Sequence, residues 1–461
     1  MNSVVEEISQ AIGKEKVLRS DQISERFDHV WNTDKPLQAK AVVLAKSTED
    51  VSAVLKICNA ANQSVVMHGG LTNLVGSTRC SPDEIVLSLE KMNTILDIDV
   101  QSRSMTVESG CILETIQQAA AEKSMLFPLN FGAKGSAQIG GCVGTNAGGL
   151  RVLRYGMTRN LILGMEAVLA DGTIISSLKK IIKNNSGYDL KHLMIGSEGT
   201  LGIVTKVVLK LEEATKSRNS AFVGFNTFDK LVDFLKFADK RLGGTLSAFE
   251  LLWNGAYKVL TTEPSQMKPP LPYDFKYYVL FESMGGNVEK DNLLFMEILE
   301  DAMEREIILE AAPAYTEADL EWFWNIREDV GVINAVCTID QHFDVSLPIS
   351  KIDAYVDKVL EEVVKIEGVD NCYAFGHVAD GNIHFIVDKQ NASDALRMAI
   401  NEVVYPPLAD FNGSVSAEHG IGLDKKPYLS ICRTPEEIAT MRLIKQTLDP
   451  KGILNPGKII D

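Results

Sequence analysis

Ile139-Gly140-Gly141-Cys142-Val143-Gly144-Thr145-Asn146-Ala147-Gly148-Gly149 puts five glycines in eleven residues, just after Gly132-Ala133-Lys134-Gly135-Ser136. Glycine loses more chain entropy on ordering than any other residue, so such a run needs a physical reason. Close approach of bare backbone N–H groups to a phosphate or a flat ring supplies one. Two more segments share the composition, Met67-His68-Gly69-Gly70-Leu71-Thr72-Asn73-Leu74-Val75-Gly76 and Gly196-Ser197-Glu198-Gly199-Thr200-Leu201-Gly202. Isolated tight turns explain one such cluster; they do not explain three in the first half of a chain. None is G-x-G-x-x-G with a following acidic residue, and none ends in Gly-Lys-Ser/Thr. A nicotinamide site of the doubly wound type and a nucleotide triphosphatase are therefore set aside.

Working outward, residues 1–35 read as a helical lead-in. Ala41-Val42-Val43-Leu44 reads as a strand, and Ser47-Thr48-Glu49-Asp50 opens a helix with apolar Val51, Val54, Leu55 and Cys58 at helical spacing. Val65-Val66-Met67 is a second strand that runs into the first glycine segment, which suggests an α/β subdomain. From Ile85 to Lys210 short strands alternate with turns. Val168–Ile175 reads as a hairpin about Asp171-Gly172, and Gly202–Leu209 as another strand. Glycine thins after Leu211 and returns from Ser416. The expected division is 1–212, 213–415 and 416–461, the last piece returning to the first.

With 62 acidic and 46 basic residues the net charge is -16, which disfavours nucleic acid and anionic membrane as partners. The seven scattered cysteines contain no C-x-x-C pair, so a disulfide framework or an iron–sulfur cluster is not expected. The N-terminal residues lack the basic and apolar regions of a targeting peptide, and no apolar run reaches the roughly 18 residues that span a bilayer. A cytoplasmic protein without a membrane span is expected.

Three stretches taken in order resemble the vanillyl-alcohol-oxidase-type flavoproteins. They are H-G-G-L-T-N-L-V-G from His68, G-A-K-G-S-A-Q-I-G-G-C-V-G-T-N-A-G-G-L-R-V-L-R-Y-G from Gly132, and N-N-S-G-Y-D-L-K-H-L-M-I-G-S-E-G-T-L-G-I-V-T from Asn184. Within that family the chain is most similar to the D-2-hydroxyglutarate dehydrogenase, D-lactate dehydrogenase and glycolate oxidase branch. The resemblance implies an α+β fold, a two-subdomain FAD-binding module followed by an antiparallel-sheet and helix cap domain for the substrate. It implies non-covalent FAD, touched by Gly69, Gly70, Leu71, Thr72 and Gly76 in the first loop and by Pro128. Gly135, Ser136, Ile139, Gly140, Gly141, Gly144, Thr145, Asn146, Gly148 and Gly149 follow in the second segment, then Glu198, Gly199 and Ile203, with Asn455 near the flavin ring. Leu71 departs from the pattern, since the family often has Asn there; a contact made through backbone survives that change. The implied activity is oxidation of a D-2-hydroxy acid to the 2-oxo acid by metal-assisted proton abstraction and hydride transfer to flavin N5. Electrons would pass to an electron-transfer flavoprotein or a quinone, and the protein would act as a homodimer. The alternative is the flavin subunit of a multi-chain, glycolate-oxidase-like electron-transfer complex with little activity alone.

Cys372-Tyr373-Ala374-Phe375-Gly376-His377-Val378-Ala379-Asp380-Gly381-Asn382-Ile383-His384-Phe385-Ile386-Val387 carries the chemistry. Two β-like runs flank Asp380-Gly381, a two-residue hairpin signal. With those residues as the turn, His377 falls opposite His384 on one face. Cross-strand Cβ atoms lie roughly 4.5–5.5 Å apart, close enough for two imidazoles to share a divalent metal. Ser416-Ala417-Glu418-His419-Gly420-Ile421-Gly422 offers a further ligand. The resemblance assigns His377, His384 and Glu418 to the metal, with zinc expected, and His419 to the catalytic base.

Trp322-Phe323-Trp324-Asn325-Ile326-Arg327-Glu328 resembles the family's W-x-x-R-E segment, whose arginine clamps the substrate carboxylate. The plainer alternative is a helix-surface arginine paired with Glu328 or Glu321. Past it, Gly331 stands where the 2-hydroxyglutarate branch usually has Thr. His342 stands for its Lys, and Ile386 for an Asn two residues beyond the second metal histidine. His342 is kept as a substrate-binding candidate. The three changes de-polarise the pocket and point to an acid less acidic or bulkier at its side chain than 2-hydroxyglutarate.

Overall fold

The computed structural model describes residues 3–30 and 36–461. They fold as two units. The chain up to Gly149, Gly156–Ala214 and Glu418–Asp461 form the first; Leu150–Tyr155 and Thr215–Ala417 form the second. The sequence reading had no means of seeing the six-residue excursion Leu150–Tyr155. Among the described residues no helix is long and apolar enough to cross a membrane.

The lead-in is less helical than expected. Val4–Ile12 is a helix capped by Ser3, and Val17–Leu18 is a short strand, while residues 1–2 and 31–35 lie outside the described residues. That strand edges a four-stranded sheet, followed in order by Ala41–Leu44, Ile85–Ser88 and Val65–His68, the last three parallel. Helix Thr48–Ala60 starts where the Ser47 hydroxyl accepts the Asp50 amide, and it buries Val51, Val54, Leu55 and Cys58 against the sheet. Leu454 bridges Val65 in parallel, so the C-terminal segment is part of this core.

A second, antiparallel sheet runs in the order Ile95–Asp99, Ser104–Glu108, Ile203–Lys210, Ile162–Val168, Ile174–Ser177. Val168 pairs with Ile174 around Asp171-Gly172, with Gly172 left-handed at φ 81°. The glycine run from Ile139 is not a loop throughout. Ile139–Thr145 is a short helix that ends at Asn146 in the left-handed region. A Cβ on Gly140 would meet the Ser109 Cβ at 2.7 Å, so glycine is required there for close packing.

The second unit is a seven-stranded antiparallel sheet. Its strands are β1 (Ser217–Phe225), β2 (Leu246–Trp253), β3 (Tyr277–Gly285), β4 (Glu310–Pro313), β5 (Ile339–Ser346), β6 (Val369–His377) and β7 (Asn382–Lys389), in the spatial order β4-β1-β3-β2-β6-β7-β5. Side chains alternate between faces along each strand. Phe225, Phe249 and Phe281 pack on one face with Phe234 and Phe295 of the helices Phe228–Leu242 and Val288–Glu304. Phe222, Leu252, Tyr278, Phe375 and Ile386 line the other, under helices α1 (Asn254–Thr261), α2 (Glu317–Glu328) and α3 (Val330–Val336).

The β6–β7 connection corrects the predicted register. Val378–Asp380 forms a 3₁₀ turn and Gly381 takes φ 86°, so the loop has four residues rather than two. His377 therefore pairs with Asn382, and His384 pairs with Phe375. The two histidines are diagonal neighbours, not direct partners. A slip of two residues preserves the face, where a slip of one would have reversed it.

Candidate functional site

In the first unit the glycine segments converge through backbone. A Cβ on Gly70 would stand 2.1 Å from the Ser136 carbonyl oxygen, and one on Gly69 would be 3.9 Å from the Gly141 Cα. Gly69-Gly70 and Ser136–Gly141 are thus in contact. His68 leads into the first loop buried; its Nε2 sits 2.9 Å from the Thr78 carbonyl, and burial pushes its pKa down to about 4. It is a neutral brace for the loop. Leu71 adopts φ 57°, a conformation in which Asn is at ease and a branched apolar residue is strained, which gives the family's Asn a physical reason. Pro128 is buried beside Phe127 and Leu129, and Ile203 opens its strand opposite Val168. Asn455 is buried too. Its Oδ1 accepts the Met67 amide at 2.8 Å and its Nδ2 donates to the Glu198 carbonyl at 2.5 Å, joining the C-terminal segment to two glycine segments.

In the second unit one sheet face carries a charged strip. Two adjacent rows cross it: Glu250, His377, Asn382 and Ser346, then Leu252, Phe375, His384 and Asp344. The His377 and His384 rings lie 5.4 Å apart, edge to face. His377 Nδ1 lies 2.8 Å from Glu250, and Arg327 Nε and Nη2 bind the same carboxylate at 2.8 Å. Burial pushes the Glu250 carboxyl up; the charges and hydrogen bonds of His377 and Arg327 outweigh that and hold it below its ordinary range. Glu250 faces Nδ1 of His377, so in the uncharged ring the proton sits on Nδ1 and Nε2 is the acceptor nitrogen. Asp344 is fully buried. Its carboxylate accepts from Asn382 Nδ2 at 2.8 Å and from the Ala417 amide at 3.0 Å, and lies 3.8 Å from His384 Nδ1.

Helix α2 positions the arginine. A capping box between Thr316 and Asp319 starts it, and Trp324 and Arg327, three residues apart, point into the sheet face. Arg327 is 4% exposed, so the surface pairing with Glu328 or Glu321 is excluded. Trp324 Nε1 donates at 2.9 Å to a second buried carboxylate, Glu282, which Arg218, Arg151 and Ser247 also engage. His342 lies in the next row with Ile386 and Tyr373, its Nε2 at 2.5 Å from Asp340. Gly331 is in α3. Glu418 and His419 follow Ala417 directly in the chain and belong to the first unit, where a Cβ on Gly148 would meet Glu418 Oε1 at 2.6 Å.

Glu250, Glu282 and Asp344 were missed by the sequence reading. A signal existed for the first two: each is the one charged residue in an otherwise apolar or small strand run, Leu246-Ser247-Ala248-Phe249-Glu250-Leu251-Leu252-Trp253 and Tyr277-Tyr278-Val279-Leu280-Phe281-Glu282-Ser283. A lone carboxylate in a buried strand requires a partner.

The pattern described as "FAD linked oxidases, C-terminal domain" matches residues 214–459, and "FAD binding domain" matches 39–177. The chain belongs to the FAD-linked oxidase family. It is 38% identical over 428 residues to a mitochondrial D-2-hydroxyglutarate dehydrogenase of Danio rerio, covering 92% of this chain and 80% of that one. Solved structures of alkyldihydroxyacetonephosphate synthase (TM-score 0.78, 99% of this chain and 86% of that one) and of p-cresol methylhydroxylase (0.75, 100% and 97%) are each 17% identical and share the fold. The fold of this FAD-linked oxidase is thus of the vanillyl-alcohol-oxidase type. Its own atoms fit the cofactor. Gln138 Oε1 and Ser109 Oγ are buried without a hydrogen-bond partner beside Gly69 and Gly140, and a Cβ on Gly141 would meet nothing within 4 Å. Unsatisfied polar atoms next to bare backbone are what a ligand with polar edges would complete.

Proposed function

We propose that this chain is a FAD-dependent dehydrogenase that converts a D-2-hydroxy acid to its 2-oxo acid. The observation that carries the reading is the strip in which Glu250, His377 and His384 share one sheet face, with Arg327 of α2 bonded to Glu250. Bound FAD supplies the hydride acceptor. Arg327, held by Glu250 along one edge of its fork, clamps the substrate carboxylate. His377 and His384, with Glu418, would hold a divalent cation, zinc by preference. Such a cation lowers the pKa of a bound hydroxyl. His419 would take the hydroxyl proton as the substrate's carbon–hydrogen bond breaks. Glu418 and His419 enter this reading by sequence and family resemblance. The carboxylate of Glu250 keeps His377 in the tautomer a metal ligand needs.

The substrate carries a side chain less acidic or bulkier than that of 2-hydroxyglutarate. Ile386 is fully buried in the row where His342 stands, and Asp340 already engages the His342 imidazole. A second substrate carboxylate would meet an imidazole already engaged by a carboxylate there. The test is anaerobic mixing of the flavin-loaded protein with the D- and L-forms of lactate, 2-hydroxyisovalerate, phenyllactate and 2-hydroxyglutarate. Bleaching of the flavin by a D-acid is expected. Absence of bleaching by every acid would overturn the dehydrogenase reading, and fastest bleaching by D-2-hydroxyglutarate would overturn the side-chain assignment alone.

A further inference from the structure

Glu198 is 7% exposed, sits in the left-handed region at φ 49°, and uses every polar group it has. Its amide donates to the Gly144 carbonyl at 2.8 Å, and its carbonyl accepts from Asn455 Nδ2. Its two carboxylate oxygens accept two consecutive amides, Ile421 at 2.7 Å and Gly422 at 2.9 Å. A Cβ on Gly420 would meet Glu198 Oε1 at 2.8 Å, so the chain lies flush on the carboxylate. Burial pushes this carboxyl up to about 7 against the two amides and Lys425, so keeping an acid here is costly. Helix packing or cofactor backbone contacts do not demand one. Two parallel acceptors facing two successive N–H groups do.

We propose that Glu198 is a positioning residue whose carboxylate clamps the Ile421 and Gly422 main chain and thereby fixes Glu418 and His419 just upstream. The inference rests on the roles given above to Glu418 and His419. It adds a requirement that a cofactor contact would not impose: both oxygens must be acceptors. Glu198→Gln keeps shape and one acceptor, and turns an N–H₂ toward an N–H.

The test is single-turnover flavin reduction by the D-2-hydroxy acid that bleaches the protein fastest, in Glu198→Gln, His419→Ala and the double variant. Glu198→Gln is expected to keep its flavin-to-protein ratio and substrate half-saturation near those of the parent while reduction slows on the order of 10- to 100-fold, the cost of a misplaced catalytic group. Added to His419→Ala, it should cost less than it does alone, because one of the two groups it positions is already gone. A parental rate in Glu198→Gln, a rate loss matched by flavin loss, or an equal loss in the His419→Ala background would each overturn the clamp. A parental rate in His419→Ala would instead overturn the role given to His419.

Discussion

The two units build their sites from different material. In the first, the surfaces that meet are backbone: Gly70 against the Ser136 carbonyl, Gly69 beside Gly141, Asn455 bonded to the Met67 amide and the Glu198 carbonyl. In the second, they are side chains, a buried Arg327–Glu250–His377 series with His384 diagonal to it. A backbone site tolerates side-chain change at its glycine-free positions and fails when a Cβ is added where two chains touch. A side-chain site fails by deletion of one group, with the sheet beneath it intact. Cofactor retention and chemistry should therefore be separable by mutation.

The largest expected effect uses that separation. His384→Ala removes a ring from the strip and leaves the first unit untouched. Flavin reduction should slow by about 10³-fold or more, roughly 4 kcal/mol of barrier, at an unchanged flavin-to-protein ratio. Loss of flavin from the variant would break the comparison. Dialysis of the parent against a chelator should mimic it, with activity restored by added zinc.

Next comes Glu250→Ala. It leaves Arg327 buried without its carboxylate and His377 without its orienting acceptor. Breaking a buried ion pair from one side costs about 3–5 kcal/mol, so the thermal midpoint should fall along with the rate. Glu250→Gln should recover part of the midpoint and less of the rate. Equal recovery of both would mean that Glu250 is a packing residue and not an orienting one.

Legibility followed the same division. Glycine clusters are visible in a sequence because their cost has to be justified, and the three quoted segments do meet, although Ile139–Thr145 is a helix and not a loop. The histidine pair was readable for a subtler reason. The predicted turn at Asp380-Gly381 was two residues too short, yet parity kept His377 and His384 on one face. What stayed hidden is what depends on distant pairing. Arg327 could not be assigned to Glu250, 77 residues away, and the Leu150–Tyr155 excursion carries no composition signal. Lone acids inside apolar strands were the missed clue.

Glu198 gives an effect that the second unit cannot. Its carboxyl, at about 7 in the folded chain against 4.5 ordinarily, binds its proton more tightly when folded. Its stabilising contribution is whole below about pH 4.5 and is lost as pH rises through about 7, on the order of 3 kcal/mol. Glu198→Gln has no such proton to lose. The parent's thermal midpoint should therefore fall relative to that of Glu198→Gln between pH 5 and pH 8, and parallel curves would show that the Ile421 and Gly422 amides offset burial and keep the carboxyl in its ordinary range.

The smallest expected effect tests whether the first unit really works through backbone. Leu71 holds φ 57° in the first glycine loop, where a non-glycine residue with an apolar branch is strained by about 1 kcal/mol or more. Asn relaxes that strain without altering the path of the chain. If the loop serves FAD through its N–H groups, Leu71→Asn should raise the thermal midpoint, a gain of about 1 kcal/mol, and leave both flavin content and reduction rate unchanged. A fall in flavin content would show that the Leu71 side chain itself touches the cofactor. The first site would then be built, in that one place, the way the second is.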